Sequence, residues 1–461
     1  MYNQQLHLHF IGIGGVGMAG IAEVLINLGY PISGSDIKDS HLVNHLRELG
    51  AKISIGHNKN NIPAGTSVIV TSSAVDHTNA EVIEAIERGI PIIPRAEMLS
   101  ELMRMKYGIA VAGSHGKTST TSMIGKILND VGYDPTIIVG GRILSQNSGA
   151  KLGTGQYLVA ESDESDGSFN LLRPAIAIVT NIDNEHMSHY GSFGNLENSF
   201  KKFIQSVPFY GIIVACYDDP VVRGICQDSK RRVFSYGLSP EWNLHAENIV
   251  IDKGVSKFNL VFDNKSYDAM IPVPGQHMVL NALASISVAL ELGVYIEEAI
   301  NSLSTFAGVA RRSQLLIEKN GITILDDYGH HPTEIRSTIK AIKESYIKNN
   351  SGTLKVIFQP HRFSRTRELF GDFVNCFEDA DELFVSDIYS AGEEAITGIT
   401  GESLANSIHN KQTKFIGNLL EDSVSILNQS KSGDVILTLG AGSITQIGHE
   451  LAKILNEKPN C

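Results

Sequence analysis

Cysteine and tryptophan are scarce: the 461 residues include four Cys and one Trp. Cys216, Cys226, Cys376 and Cys461 show no C-x-x-C spacing and form no disulfide framework, so a reducing cytoplasm is the expected compartment. No segment reaches the ~18 uninterrupted apolar residues that a membrane span needs, and the start "MYNQQLHLHF" has neither a basic patch nor a long apolar run. Export and membrane insertion are therefore not expected. Basic charge is in deficit, 38 Lys and Arg against 50 Asp and Glu for a net charge of -12, which argues against nucleic acid as a partner but leaves room for a small anion in a local pocket. Low-complexity tracts, strong linkers and short-period repeats are missing too. Domain boundaries must therefore come from the order of strands and helices.

What is present is the make-up of an ordinary globular protein, 42% hydrophobic and 19% charged, at a length that implies about three domains of roughly 150 residues. Near-continuous apolar runs recur: "LHFIGIG", "SVIVTSSA", "GIAVAG", "YLVAE", "AIAIVTN", "GIIVAC", "ITILDD", "LKVIFQ", "ELFVSD" and "DVILTLG". Most precede a stretch of helical periodicity, the pattern of parallel strands covered on both faces, so the fold class is α/β. Ligands of such sheets sit beyond the carboxyl ends of the strands. Boundaries near Lys106 and Arg312 divide the chain into residues 1–106, 107–312 and 313–461.

Gly12, Gly14, Gly15 and Gly17 follow the first apolar run and open a helical stripe. This G-x-G-x-x-G pattern lets a backbone turn tightly and approach a diphosphate at the positive end of a helix. Asp36, about 20 residues beyond, stands where a dinucleotide fold places its ribose-binding acid. A nicotinamide dehydrogenase is one reading, and glycine turns that serve only packing are another.

About a hundred residues on, "GSHGKTS" supplies Gly113, Ser114, His115, Gly116, Lys117, Thr118 and Ser119. This is a shortened phosphate loop, with Val111 where G-x-x-x-x-G-K-[ST] has its leading glycine. Its backbone N–H groups would wrap phosphates, Lys117 would neutralise the β and γ phosphates of ATP, and Thr118 could ligate Mg²⁺. A dehydrogenase has no use for a triphosphate. An enzyme that joins a nucleotide-linked substrate to something else would use both cradles, and a regulatory nucleotide-binding module is the further alternative.

Further stretches narrow the choice: "YLVAE" running into "ESDESDGSF", "TNIDNEHMSHY", "DDYGHHPTEI" and "FQPHRFSRTRELF". Taken with "HFIGIGGVGMAGIAEVL", "ISGSD" and "PRAEMLSELMR", they make the chain resemble the peptidoglycan Mur ligase family from about His9 to Gly442, in the branch that adds the first amino acid. The resemblance implies three domains in series: a Rossmann-like domain for a UDP-linked substrate, a central P-loop ATPase-type domain with a mostly parallel sheet, and a Rossmann-like C-terminal domain that closes over ATP and the amino acid. It implies UDP-N-acetylmuramate and L-alanine as substrates, ATP and Mg²⁺ as cofactors, and a monomer or weak homodimer.

It also implies roles for single residues. Thr118, Glu161 and His186 take the metal positions, and Lys117 serves the phosphoryl group. His277, Asn281, Arg312 and Asp327 fall on the ATP side, with Asp327 at the ribose. His330 and His361 face the UDP-linked substrate, and Arg362 and Arg365 hold its anionic groups or those of the amino acid, a task suited to the bidentate guanidinium. There are two departures from the family pattern. Met278 replaces an asparagine in "HMVLNA", which touches the adenine side, and Ser313 replaces an aromatic residue in "RRSQ", which would loosen the hinge between domains. Lys201 and Lys202 lie near the place of the carbamylated lysine of sister ligases, a feature not expected in this branch.

Overall fold

The computed structural model describes residues 6–72, 74–143, 148–347, 352–409 and 412–459. Cys461 lies outside them. The other three cysteines are buried and unpaired, and burial pushes the thiols of Cys216 and Cys226 up to about 12, where they are inert.

Strands β1 (His7–Ile11), β2 (Ile32–Asp36), β3 (Lys52–Ile55), β4 (Thr66–Thr71) and β5 (Ile92–Pro94) form a parallel sheet in the order β3-β2-β1-β4-β5. Both faces of β1 are covered, and on the face that carries Ile11 the buried His9 is held by Ser33 Oγ (2.7 Å) and Glu81 Oε2 (2.8 Å). Phe10 packs with Met18 and Ile21 of the helix Val16–Asn27 on one side, and Ile11 packs with Ile69, Val82 and Ala85 on the other.

The chain continues through β6 (Tyr107–Ala112), β7 (Thr136–Ile143), β8 (Ser148–Lys151), β9 (Tyr157–Glu161), β10 (Ile176–Val179), β11 (Ile212–Cys216) and β12 (Arg232–Gly237). These run β12-β11-β10-β6-β9-β7-β8, parallel except for the β7–β8 hairpin at the edge. The consequence for function is that β6 lies between β9 and β10, two strands that come later in the chain. The loop leaving β6 thus emerges at a topological switch point, flanked by two other strand ends.

After β13 (Leu244–Asp252), β14 (Val255–Phe262) and β15 (Lys265–Ile271) comes a third sheet. It is built from β16 (Gln314–Lys319), β17 (Ile322–Asp327), β18 (Leu354–Phe358), β19 (Glu382–Val385), β20 (Thr413–Phe415) and β21 (Val435–Leu439), in the order β16-β17-β21-β18-β19-β20. β16 is antiparallel and the rest are parallel.

The chain forms two compact units. Met1–Glu247, Leu260–Tyr267 and Leu280–Ala307 make the first, and Asn248–Asn259, Asp268–Val279 and Gly308–Cys461 make the second. One apolar cluster reaches from Leu8 and Phe10 to Ala110, Ile138 and Cys226, so the first two sheets share a core within the first unit.

Candidate active site

The segments flanking the phosphate loop hold its backbone in place. Val111 of β6 pairs with Glu161 of β9, and Ala112 pairs with Val179 of β10, so the segments after those strands reach the loop. Gly113 has φ +134° and Gly116 φ +83°, values that disfavour any side chain. A Cβ on Gly113 would lie 2.0 Å from Thr180 Oγ1, and one on Gly116 would lie 2.5 Å from Asn281 Oδ1. The segment after β10 braces the loop directly. Ser114 N donates to Asn181 O (3.0 Å), His115 N to Asn181 Oδ1 (2.8 Å) and Thr180 Oγ1 to His115 O (2.6 Å). Asp183 N donates to Ser114 Oγ (2.9 Å), and His115 Nε2 lies 3.0 Å from Asp183 Oδ2. Ser119 is buried in the first turn of the helix Lys117–Asp130.

Lys117 Nζ donates to the carbonyls of Gly113 (2.6 Å) and Ser114 (3.0 Å) and stands 2.9 Å from either carboxylate oxygen of Glu164. Burial alone would lower its pKa, but Glu164, Glu161 and Glu185 outweigh that and raise it, so the ammonium stays charged. Thr118 Oγ1 donates to Glu161 Oε2 at 2.9 Å. His186 sits in the left-handed region (φ 59°), and its Nε2 is 3.6 Å from Glu164 Oε1 and 3.8 Å from Glu185 Oε2. The three expected metal residues therefore fall into two neighbouring groups, Thr118 with Glu161, and His186 with Glu164 and Glu185. Hydroxyl, carboxylates and one imidazole suit a hard divalent cation, so the donor set fits Mg²⁺.

The first cradle shows a different economy. Gly12 N and Ile13 N donate to Ser35 O (2.8 and 3.0 Å), and Gly14 N donates to Asp36 Oδ2 (2.8 Å). A Cβ on Gly14 would come within 2.9 Å of that same oxygen. Asp36, expected at a ribose, thus pins the glycine loop, while its Oδ1 accepts from Lys38 N (3.0 Å). Gly15 caps the helix Val16–Asn27 with no side-chain bond, leaving N–H groups for an anion. Over Gly17 lies Arg95, with Nη1 3.1 Å from where a Cβ would be and Nη2 3.5 Å from Asp163 Oδ2.

His277, Arg312, Asp327, His330, His361, Arg362 and Arg365 belong to the second unit, whereas Asn281 belongs to the first with both cradles. The strand ends of β17, β18 and β21 gather the cluster: Gly440 N donates to Asp327 O, and Gln359 N donates to Leu439 O. Arg311 and Arg312 both lie over the Tyr328 ring, at 4.7 and 5.4 Å, and Arg312 Nη1 is 3.2 Å from Glu334 Oε1. Arg365 Nη1 lies 3.4 Å from His361 Nδ1, and the His361 ring stacks on Tyr389 at 5.5 Å and stands 6.1 Å from that of His330. Arg362 carries φ 71° and an exposed side chain, its N–H bonded to Tyr389 O. Burial pushes His330 down to about 3 and His361 down to about 4, with Arg365 adding to both shifts. Both imidazoles are neutral at pH 7, and the positive charge of the cluster rests on its arginines.

Three family models cover the chain: the Mur ligase family catalytic domain over residues 7–107, the Mur ligase middle domain over 111–289, and the Mur ligase glutamate ligase domain over 311–442. The chain belongs to the Mur ligase family. That makes it an ATP-dependent ligase. The UDP-N-acetylmuramate–L-alanine ligase of Geobacter sulfurreducens is 48% identical, covering 99% of each chain, and that of Geotalea daltonii is 47% identical over 100% of each. Among solved structures, the UDP-N-acetylmuramate–alanine ligase of Thermotoga maritima superimposes with TM-score 0.82 at 27% identity, covering 98% of this chain and 99% of that one. A murein peptide ligase from Psychrobacter arcticus gives TM-score 0.68 at 25% identity, covering 99% and 100%.

The two departures from the Mur ligase pattern have local physical reasons. Met278 is 5% exposed, a place where an asparagine amide would need partners and a thioether does not. Ser313 adopts φ 46° and gives its N–H to Asp327 Oδ2 at 2.6 Å, while Gly329 N donates to Asp327 Oδ1 at 2.7 Å. Asp327 is pushed up to about 6 because it is buried, against the opposing pull of Arg312 and those two N–H groups. The sign of the pH effect follows. Between about 4, where the unfolded carboxyl ionises, and about 6, the folded chain keeps a proton that the unfolded chain has released, so stability falls as pH rises through that window, by on the order of 2–3 kcal/mol. Denaturant unfolding from pH 4 to 6 should show this slope in the parent and a flatter one in Asp327→Asn. Equal slopes would mean that Asp327 ionises normally.

Proposed function

We propose that this Mur ligase joins L-alanine to the lactyl carboxylate of UDP-N-acetylmuramate at the expense of ATP. The observation that supports the reading is that one compact unit holds both a glycine-capped helix start at Gly15 and a glycine loop with Lys117 on a buried glutamate, two features suited to holding phosphate. The names of the relatives at 47–48% identity supply the substrates. We assign residues 1–106, 107–312 and 313–461 to the UDP-substrate, ATP-binding and C-terminal domains.

In the proposed reaction a carboxylate oxygen attacks the γ-phosphorus and ADP leaves, giving an acyl phosphate. The alanine amine then attacks the acyl carbon, and phosphate and one amine proton leave as the amide forms. Lys117 neutralises charge on the phosphoryl oxygens as they shift between partners. The braced loop holds its N–H groups in place, so little reorganisation is left for the reaction itself. Bound Mg²⁺, held by Thr118, Glu161 and His186, would supply further neutralisation of phosphate charge. Asn281, His277, Arg312 and Asp327 are assigned to ATP, and Gly12, Gly14, Gly15, Gly17, Asp36, His330 and His361 to the UDP-linked substrate. Arg362 and Arg365 are assigned to anionic groups of the substrates. No helix among the described residues is long and apolar enough to cross a membrane, and we place the enzyme in the cytoplasm as a monomer or weak homodimer.

Phosphate release measured with UDP-N-acetylmuramate, L-alanine, ATP or Mg²⁺ omitted in turn tests the proposal. Release should require all four. Release without L-alanine at the full rate, or an absorbance change with a nicotinamide cofactor, would contradict it.

A further inference from the structure

Glu164 is 1% exposed, and the ammonium 2.9 Å from both of its oxygens is the same one that the proposed reaction assigns to ATP. A buried carboxylate stripped of its cation is strongly destabilised. If Lys117 moves to the phosphates, another positive charge must take its place at Glu164. The surroundings show where that charge would come from. One ligand atom each of Glu164, Glu185 and His186 lies within 4.8 Å of the others, a two-oxygen, one-nitrogen set. Glu164 Oε2, though close to Lys117, accepts no hydrogen bond, whereas Oε1 does.

Backbone contacts tie Glu164 to His186. The carbonyl of Glu164 accepts from Tyr190 OH and from Gly167 N (3.1 Å). Tyr190 N in turn donates to the carbonyl of His186 at 3.1 Å, so one tyrosine links the loop after β9 to the loop after β10. His186 lies in the left-handed region (φ 59°), and its carbonyl also accepts from His189 N at 2.9 Å.

We propose that Glu164 is a partner-exchanging carboxylate: without nucleotide it neutralises Lys117, and with nucleotide bound it turns, together with Glu185 and His186, to a divalent cation. This rests on the ATP reading above and adds to it a carboxylate whose two roles make nucleotide and metal binding interdependent. Lys117 and the cation then share one counter-ion in succession, so the metal set is completed only once the nucleotide has engaged the lysine.

The test uses the full-length protein, the β,γ-imido analogue of ATP, and Mn²⁺ as a paramagnetic stand-in for Mg²⁺. Mn²⁺ binding is read by electron paramagnetic resonance, and metal-free nucleotide binding is read by calorimetry in two buffers of different ionisation enthalpy. The parent should bind Mn²⁺ much more tightly with the analogue than without it. Glu164→Gln should weaken Mn²⁺ binding in the ternary complex by roughly ten- to a hundredfold, the loss typical of removing a group that supports a metal. Metal-free analogue binding should hold or tighten, because Lys117 no longer has a competitor. Glu185→Gln, which leaves the Lys117–Glu164 pair in place, should weaken Mn²⁺ binding alone. Parent-like Mn²⁺ affinity in both variants would overturn the exchange. So would proton uptake on analogue binding that persists with Mn²⁺ present, since Glu164 would then be taking a proton rather than a cation. Failure of the parent to bind the analogue at all would instead overturn the ATP reading itself, a result distinct from the other two.

Discussion

Lys117→Ala is expected to lower ligation by about 10²- to 10³-fold or more while UDP-N-acetylmuramate binding stays close to that of the parent. The rate loss follows from removing a preorganised charge aimed at the transferring phosphoryl group, an effect of ~3–4 kcal/mol in comparable sites. The substrate constant should hold because the glycine loop of the first cradle is held by Ser35 and Asp36, whereas Lys117 bonds Gly113, Ser114 and Glu164. A second consequence separates this residue from a surface lysine. Alanine leaves Glu164 buried beside His186 without its ammonium, so the variant should also lose thermal stability, on the order of 3–5 kcal/mol for one partner of a buried pair. Steady-state kinetics at saturating ATP and thermal unfolding read the two effects. More than a tenth of the parent rate, with an unchanged melting temperature, would remove Lys117 from the site.

Gly113→Ala should abolish nucleotide binding. The new Cβ would lie 2.0 Å from Thr180 Oγ1 and 3.1 Å from Asn181 N, and the residue would have to hold φ +134°. Backbone strain of this kind costs roughly 1–3 kcal/mol, and the clash forces Thr180 and Asn181, which carry the carbonyl and N–H of His115, out of position. The double variant Gly113→Ala with Thr180→Ala relieves the clash but not the strain, so it should recover binding only in part. Titration of each protein with ATP is the measurement. A single variant that binds ATP like the parent would show that the loop is not the nucleotide site.

Much of this could be read from the sequence, and what could not has identifiable causes. The apolar runs "GIAVAG", "YLVAE" and "AIAIVTN" are strands buried on both faces, so their pattern is decisive, and β6, β9 and β10 lie on them. β16 and β20 are edge strands with mixed burial, and their patterns carry little signal. The glycine loop around Lys117 is legible because its pattern is local. Glu164 and Glu185 are not, because a string such as "ESDESD" does not say which acid turns inward. That depends on β9 and β10 flanking β6, a long-range fact. Thr180, Asn181 and Asp183 brace the phosphate loop for the same reason. Asp36 sits at the spacing of a ribose-binding acid, yet its nearest partner is the N–H of Gly14. Arg95 comes over Gly17 only through the packing of the helix Arg95–Met105.

The most direct test of the proposed chemistry follows a single oxygen atom. UDP-N-acetylmuramate labelled with ¹⁸O in both oxygens of its lactyl carboxylate is turned over with ATP and L-alanine, and the released phosphate is examined by mass spectrometry. Passage through an acyl phosphate predicts one ¹⁸O in each phosphate, because the carboxylate oxygen that attacks the γ-phosphorus leaves with it. Unlabelled phosphate alongside a labelled amide product would contradict the account.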